Sequence, residues 1–118
     1  EFDRKSRGYC LDHTDILPLA YELFDSDAIY FEGLQSKKVS LIHKDTEKGV
    51  EVSFADFASV AFWTPAGKRA PFLCVEPWNG SAVCSDEDDE FAHKHDVQIL
   101  GPGEKKHYGL GIRILGRR

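Results

Sequence analysis

The sequence contains no methionine, only three cysteines and no long run of apolar residues. A helix that spans a bilayer needs about 20 consecutive apolar residues, so the sequence predicts no membrane span and no membrane partner. Acidic residues outnumber basic ones by 20 to 15, which gives a net charge of −5. Because nucleic-acid binding depends on a basic surface, this balance argues against DNA or RNA as a partner.

The three cysteines, Cys10, Cys74 and Cys84, are an odd number and form no CxxC pair. This usage argues against a disulfide framework and favours a reducing compartment, so we predict a cytoplasmic location. No histidine lies close enough in sequence to activate any of these thiols, and a nucleophilic role is not predicted.

Motifs for common cofactors are also missing. The sequence has no glycine-rich phosphate loop and no GxSxG motif. The acidic run 86–90 lacks the alternating oxygen ligands and turn glycine of a calcium loop. His93 and His95 would project from one side of an extended segment, but the pattern assigns no third ligand to them. We therefore predict no cofactor and no metal site.

What the sequence does contain is a series of short apolar or alternating segments separated by turn residues. At 118 residues and 42% apolar content, it can form the core of one domain. The pattern indicates an all-β fold, an antiparallel sandwich or barrel, with helix limited to a turn or two within 18–24. The predicted strands are 28–31, 38–43, 50–54, 59–64, 72–75, 97–100 and 107–115.

The most informative segment is Phe72–Gly80, in which an apolar strand is followed by Glu76, Pro77 and Trp78. A carboxylate where the chain leaves the core is costly unless it is paired, and a proline after it favours an extended backbone. A fixed carboxylate beside an aromatic ring suits a polyhydroxylated ligand such as a sugar. The alternative is structural, with Glu76 in a salt bridge and Trp78 covering the core.

Several segments together resemble the C-terminal half of galactose mutarotase-like (aldose 1-epimerase family) proteins. The most specific features are Ser26-Asp27-Ala28 and Val75-Glu76-Pro77-Trp78 at this separation. The resemblance extends over nearly the whole chain, and the other matching segments are 17–19, 22–31, 34–37, 48–50, 54–57, 62–63 and 100–104.

The resemblance implies a particular fold and reaction. Family members form a large β-supersandwich more than twice this length, so residues 1–118 are expected to be the C-terminal portion of one domain whose sheets an N-terminal half completes. The family interconverts the α and β anomers of a free aldose by acid–base ring opening, without a cofactor. The expected substrate is therefore a monosaccharide.

The resemblance also implies roles for individual residues. Glu76 matches the base that removes the anomeric proton, and Asp27 matches a sugar-binding aspartate. We assign Trp78 to the sugar pocket on chemical grounds alone. The family's catalytic acid is a histidine from the N-terminal half, so residues 1–118 alone are expected to be inactive. For Asp27 the alternative is a turn before a strand.

Two other functions stay open at this point. A carbohydrate-binding protein of the same fold would keep Asp27 and Trp78 but lack the upstream histidine, so the residues preceding Glu1 would distinguish it. A β-sandwich interaction domain would use Glu76 only structurally, and Glu76→Gln would then leave every sugar-dependent signal unchanged.

Overall fold

The protein forms two antiparallel sheets with almost no helix in a computed structural model that describes residues 15–116. This architecture confirms the predicted all-β, sandwich-like class. Six strands are present in the described part of the chain: β1 Ile29–Glu32, β2 Lys38–Ile42, β3 Gly49–Ser53, β4 Ser59–Trp63, β5 Cys74–Trp78 and β6 Gly111–Leu115.

Each sheet has three strands. The first sheet has the order β1-β4-β5 and the second has the order β2-β3-β6, and every pairing is antiparallel. Strands β4 and β3 are therefore the central strands. Because side chains alternate between the faces of a sheet, the register of these pairings decides which side chains meet.

The predicted β2–β3 hairpin is confirmed. Strand Lys38–Ile42 pairs directly with Gly49–Ser53, and the His43 amide donates a hydrogen bond of 2.8 Å to the Lys48 carbonyl at the turn. Glu47 has a φ of 57°, a conformation that such tight connections require. The alternation of apolar and polar residues was therefore sufficient to find this element.

Strand β5 was predicted too early in the chain. The sequence indicated a strand over 72–75 that ended before Glu76, whereas the observed strand runs Cys74–Trp78 and places Glu76 in its middle. Pro77 lies inside this strand, opposite Val60. A proline removes one backbone donor, and the fold accommodates it because, among residues 15–116, β5 pairs only with β4.

Two further strand predictions need correction. The segment 97–100 is irregular rather than a strand, and the side chains of Ile99 and Leu100 are exposed. A short apolar run becomes a strand only when a partner is available, and none of the described strands pairs with this one. The last strand is Gly111–Leu115, shorter than the predicted 107–115, since the Gly109 amide bonds instead to the Asp56 carboxylate.

In the part of the chain that the structure describes, the helices are two short 3-10 turns. Within the predicted helical segment 18–24, the structure has a 3-10 helix over Tyr21–Phe24, and a second one spans Phe91–His93. Phe24 is the buried residue of the first helix and anchors it to the core. No helix within residues 15–116 has the length and apolar character needed to cross a bilayer.

The core lies around the central strands. The buried apolar residues of the described chain are Phe24, Val52, Phe54, Val60, Ala61 and Cys84. Cys84 and the half-buried Cys74 are free thiols, while Cys10 lies outside the described residues.

Asn79 fixes the end of β5 to the connection that enters β4. Its side-chain NH₂ donates to the Asp56 carbonyl at 2.9 Å, and its side-chain oxygen accepts from the Ala58 amide at 3.0 Å. The Ala58 amide also donates to the Trp78 carbonyl at 3.1 Å. These bonds hold the backbone immediately after Trp78, and so help to fix the position of that side chain.

Candidate functional site

Strand β5 places Glu76 and Trp78 on the same face of the first sheet. Residues two positions apart in a strand point to one side, whereas Pro77 between them points to the other. The Trp78 indole Nε1 donates a hydrogen bond of 3.2 Å to Oε2 of Glu76. Oε1 of that carboxylate accepts no hydrogen bond within residues 15–116, so half of the group is available to a ligand.

The neighbouring strands add an aromatic residue to this face. Tyr30 of β1 pairs with Ala61 of β4, and Ala61 pairs with Glu76, so the three side chains form one row across the sheet. Ala61 is small and fully buried, so the middle of this row is covered by packed neighbours. The rings of Tyr30 and Trp78 pack with centroids 5.4 Å apart and an interplanar angle of 50°.

A second row on the same face carries another carboxylate. Glu32 of β1 pairs with Ser59 of β4, and Ser59 pairs with Trp78. The face therefore presents Tyr30, Glu32, Glu76 and Trp78 together, and we call these four residues the β-face cluster. Two of the four side chains are carboxylates and two are aromatic rings with a polar atom.

Burial raises the pKa of Tyr30 above its ordinary value. The negative charges of Glu32 and Asp96 act in the same direction, whereas a hydrogen bond to Ser59 opposes them. Tyr30 therefore stays a neutral phenol at neutral pH. A neutral hydroxyl can both donate and accept hydrogen bonds at the edge of this cluster.

His95 and Asp96, from the turn after the second 3-10 helix, extend the β-face cluster. The His95 Nε2 atom lies 2.7 Å from Oε1 of Glu32 and 3.2 Å from Oδ2 of Asp96. One ligand-type atom of each of these three side chains lies within 4.8 Å of the others. This is the one group in the described residues that brings at least three histidine, cysteine or carboxylate side chains close enough to hold a metal ion.

The turn that carries His95 is tied to the sheet by its backbone. The Gly80 amide donates a hydrogen bond of 2.8 Å to the Asp96 carbonyl. Lys94 forms a partly buried ion pair of 3.0 Å with Glu87, which links the turn to the preceding loop. These contacts keep the 94–96 segment beside the β-face cluster.

An open groove of about 440 Å³ lies between this turn and the end of β5. Trp78 and Phe91 supply aromatic walls, and Lys94 and Gln98 supply polar groups. The mixed lining suits a ligand that has both apolar faces and hydroxyl groups, which is the chemistry of a monosaccharide.

The structure places Asp27 in the turn before β1, and its side chain is exposed. Its Oδ1 atom accepts a hydrogen bond of 2.8 Å from the Ala28 amide, and its φ of 88° is left-handed. This is the turn that the sequence offered as the alternative to a ligand contact. Since Asp27 lies two residues before the start of β1, it is outside the Tyr30–Glu76 row.

The sequence analysis singled out Glu76 and Trp78, and their functional roles stay predictions; it did not single out Tyr30, Glu32, His95 and Asp96, which the structure places near them. The one local signal was the alternation of Tyr30 and Glu32 in β1, which could have identified a shared face. His93 and His95, expected to project from one side of an extended segment, contact different residues: His93 pairs with Asp88, whereas His95 pairs with Glu32. Nothing local connects His95 with a residue on the first strand.

Comparisons with known proteins identify relatives but no family. No family model matches the sequence, and no solved structure matches it. Two curated proteins from Lactococcus lactis subsp. lactis, the chromosomal and plasmid forms of protein LacX, are each 33% identical over 113 residues. The alignments cover 96% of this chain and 38% of each LacX protein. The chain is thus similar to LacX over nearly all of its length, and spans well under half of the length of these relatives.

Proposed function

We propose that this chain is the C-terminal portion of an aldose 1-epimerase (mutarotase)-like isomerase that interconverts the α and β anomers of a free monosaccharide. The observation that carries the proposal is the Glu76–Trp78 hydrogen bond of 3.2 Å on a sheet face shared with Tyr30. It holds a carboxylate in one orientation and leaves its second oxygen open. Proton abstraction from a bound sugar requires a base held within hydrogen-bond reach of the anomeric hydroxyl.

In the proposed reaction Glu76 takes the proton from the anomeric hydroxyl. An acid from the N-terminal portion of the domain gives a proton to the ring oxygen as the bond between that oxygen and the anomeric carbon breaks. The bond's electron pair passes to the ring oxygen, and the anomeric carbon becomes an aldehyde. Rotation about the neighbouring carbon–carbon bond and the reverse steps then close the ring as the other anomer. Protons are conserved, so the reaction needs no cofactor.

Trp78 has two functions in this proposal. Its indole N–H orients Glu76, and its ring offers an apolar surface to the C–H face of the sugar. The pyranose would lie in the groove of about 440 Å³ that Trp78 lines, beside the end of β5. A contact from Asp27 to a sugar hydroxyl stays a prediction, and it requires a ligand that extends along β1 towards the turn.

An N-terminal portion of the same domain is the partner that the proposal requires. Two observations support it: LacX proteins are much longer than this chain, and the second sheet has exposed apolar side chains on β6. Ile112 is 66% exposed and Ile114 is 78% exposed. We also propose a cytoplasmic location, since Cys74 and Cys84 are free thiols and a reducing compartment keeps them so.

The test is the rate at which freshly dissolved α-glucose or α-galactose reaches anomeric equilibrium, followed by polarimetry or NMR, with the protein that includes the N-terminal portion. We expect faster equilibration than in buffer, and Glu76→Gln should lower kcat by at least about a hundredfold. Glu47→Gln, which alters an exposed carboxylate in the β2–β3 turn, is the matched control. If neither these sugars nor other aldoses equilibrate faster than in buffer, the enzyme proposal fails.

A non-catalytic carbohydrate-binding protein is the second candidate. The groove of about 440 Å³ beside Trp78 favours it, since such a groove can bind a sugar without a base. Sugar-dependent changes in Trp78 fluorescence without faster anomer exchange would support this candidate. No sugar-dependent signal in any variant would leave the β-sandwich interaction domain as the remaining interpretation.

A separate expectation concerns residues 1–118 without the N-terminal portion. Because the acid is assigned to that portion, the 118-residue chain should show no acceleration of mutarotation. Measurable turnover by this chain would mean that the acid lies within it, and would contradict that assignment.

A further inference from the structure

We propose that Glu32, His95 and Asp96 form a binding site for a divalent transition-metal cation, with Zn²⁺ as the best match. The proposal is independent of the mutarotase proposal, because that reaction uses only proton transfers. It rests on the positions, burial and chemistry of three side chains that are brought together from distant parts of the chain.

The distances between the three side chains suit a small ion. Nε2 of His95 lies 2.7 Å from Glu32 Oε1 and 3.2 Å from Asp96 Oδ2, and the three ligand atoms lie within 4.8 Å of one another. Zinc binds nitrogen and carboxylate oxygen at about 2.0–2.2 Å, so tetrahedral ligands are separated by roughly 3.3–3.5 Å. An ion among the three atoms would therefore require side-chain shifts of less than about 1.5 Å.

The backbone holds these ligands on two different elements. Glu32 is the last residue of β1, whereas His95 and Asp96 lie in a turn whose Asp96 carbonyl accepts from the Gly80 amide at 2.8 Å. Asp96 has a φ of 54°, and this left-handed conformation sets the course of the turn beside Glu32. A metal ion would cross-link β1 to the turn, and the turn forms one wall of the groove beside Trp78.

Burial separates this group from an ordinary surface ion pair. The exposed fractions are 26% for the His95 side chain, 28% for Glu32 and 32% for Asp96. The other histidine–carboxylate pair near this turn, His93 with Asp88, has a similar distance of 2.7 Å but is 65% and 60% exposed. It also has two ligand groups rather than three, so it provides a natural comparison within the same chain.

The charges also favour a cation. Neutral imidazole with two carboxylates gives the ligand set a charge of −2, which a divalent ion balances. The nearest basic residue along the chain, Lys94, forms an ion pair of 3.0 Å with Glu87 and is thus already engaged by another carboxylate.

The ligand types indicate which metals fit. One imidazole with two carboxylates suits Zn²⁺ or Mn²⁺, whereas Mg²⁺ and Ca²⁺ prefer ligand sets made of oxygen alone. Affinity for such a set is expected to be higher for Zn²⁺ than for Mn²⁺. Three protein ligands also leave a coordination position for water or for a ligand's oxygen atom.

The experiment is calorimetric titration of ZnCl₂ into chelator-treated protein, compared with MnCl₂, MgCl₂ and CaCl₂. We expect one equivalent of Zn²⁺ to bind. Mn²⁺ should bind with lower affinity than Zn²⁺, and Mg²⁺ and Ca²⁺ should not bind at the same concentrations. His95→Gln and Glu32→Gln should each weaken Zn²⁺ binding by at least about tenfold. The matched control, His93→Gln, should bind as tightly as the unaltered protein.

A measurement on the unaltered protein keeps the test independent of variant folding. In NMR spectra, one equivalent of Zn²⁺ should shift the His95 imidazole signals and leave those of His93 and His43 unchanged. Absence of one-to-one Zn²⁺ binding would overturn the proposal. So would equal loss of binding in His93→Gln, or Zn²⁺-dependent shifts at the other histidines but not at His95. Loss of mutarotase activity has no bearing on these readouts, so the two proposals fail separately.

Discussion

The Trp78 indole donates a hydrogen bond of 3.2 Å to the carboxylate of Glu76, two residues earlier on the same edge strand. The period of two in a β-strand makes this bond possible, since it directs both side chains to one face and leaves Pro77 on the other. The bond orients the one carboxylate that the mutarotase proposal requires, and the packing of Trp78 against Tyr30 limits the movement of the donor.

Trp78→Phe tests this orientation. Phenylalanine keeps an aromatic ring but removes the indole N–H, so the Glu76 carboxylate loses its hydrogen-bond donor. We expect kcat for mutarotation to fall by roughly tenfold, corresponding to the loss of one hydrogen bond of about 1.4 kcal/mol, with a smaller change in KM. Steady-state polarimetry at several sugar concentrations separates the two constants. A change in KM alone would show that Trp78 contacts sugar without orienting the base.

Asn79→Ala should destabilise the first sheet. The substitution removes two side-chain hydrogen bonds, to the Asp56 carbonyl and from the Ala58 amide. We expect the free energy of unfolding to fall by about 1–3 kcal/mol, measured by urea denaturation. Ser81→Ala is a useful comparison, since its hydroxyl bonds the carbonyl of the adjacent Ala82 and should contribute less. Equal effects of the two variants would contradict a clamping role for Asn79.

The cross-strand pair of Glu51 and Arg113 predicts a pH dependence of stability. Arg113 donates two hydrogen bonds to the Glu51 carboxylate, at 3.2 and 3.1 Å, and lowers its pKa below the ordinary value. A lowered pKa in the folded state stabilises the protein above the ordinary pKa, and this contribution is lost as pH falls through the folded-state value.

Glu51→Gln should therefore lower stability at pH 7 and make little difference once the pH is below the folded-state pKa of Glu51, where the carboxylate is protonated in both states. Urea denaturation at several pH values measures this convergence. A stability difference that is independent of pH would show that the Glu51 side chain acts by packing rather than by charge.

Tyr30 predicts that stability also depends on pH in the alkaline range. Burial, with a contribution from Glu32 and Asp96, raises its pKa above the ordinary value. The neutral phenol is thus favoured in the folded state, so its contribution to stability is present below the ordinary pKa and is lost as pH rises through the folded-state value. Ultraviolet titration should show one tyrosine that ionises at a higher pH than the others.

Glu32→Gln should lower the raised pKa of Tyr30 only in part, since burial is the larger cause of the shift. Tyr30→Phe should remove this high-pH tyrosine ionisation entirely. If the transition persists in Tyr30→Phe, the late-ionising residue is another tyrosine.

The exposed face of β6 predicts that residues 1–118 self-associate. Ile112 and Ile114 lie on one face of the second sheet, and each is more than half exposed. Exposed apolar side chains on an edge strand favour edge-to-edge or face-to-face association. Sedimentation should show concentration-dependent oligomers, and Ile112→Lys with Ile114→Lys should shift the chain towards monomer. The N-terminal portion of the proposed domain should have the same effect, by covering this face.

Strands with alternating residues were predictable from the sequence. The β2–β3 hairpin and β4 lie close to their expected positions because their patterns and flanking turns agree. The predictions for 97–100 and for the long last strand were wrong because an apolar run takes strand form only where a pairing partner is present. The predicted bounds of β5 end too early because the prediction ends the strand before Pro77. A proline is tolerated in a strand at the edge of a sheet, so the observed strand continues through it.

The sequence by itself determined the all-β class, the hairpin, and the adjacency of Glu76 and Trp78, since each depends on residues that are neighbours along the chain. The tertiary structure decided which residues join them. Register across β4 placed Tyr30 and Glu32 on the same face, and a turn held by Gly80 brought His95 to Glu32 over a separation of 63 residues. Local pattern fixes the direction of a side chain, but only strand pairing and loop packing fix what it meets.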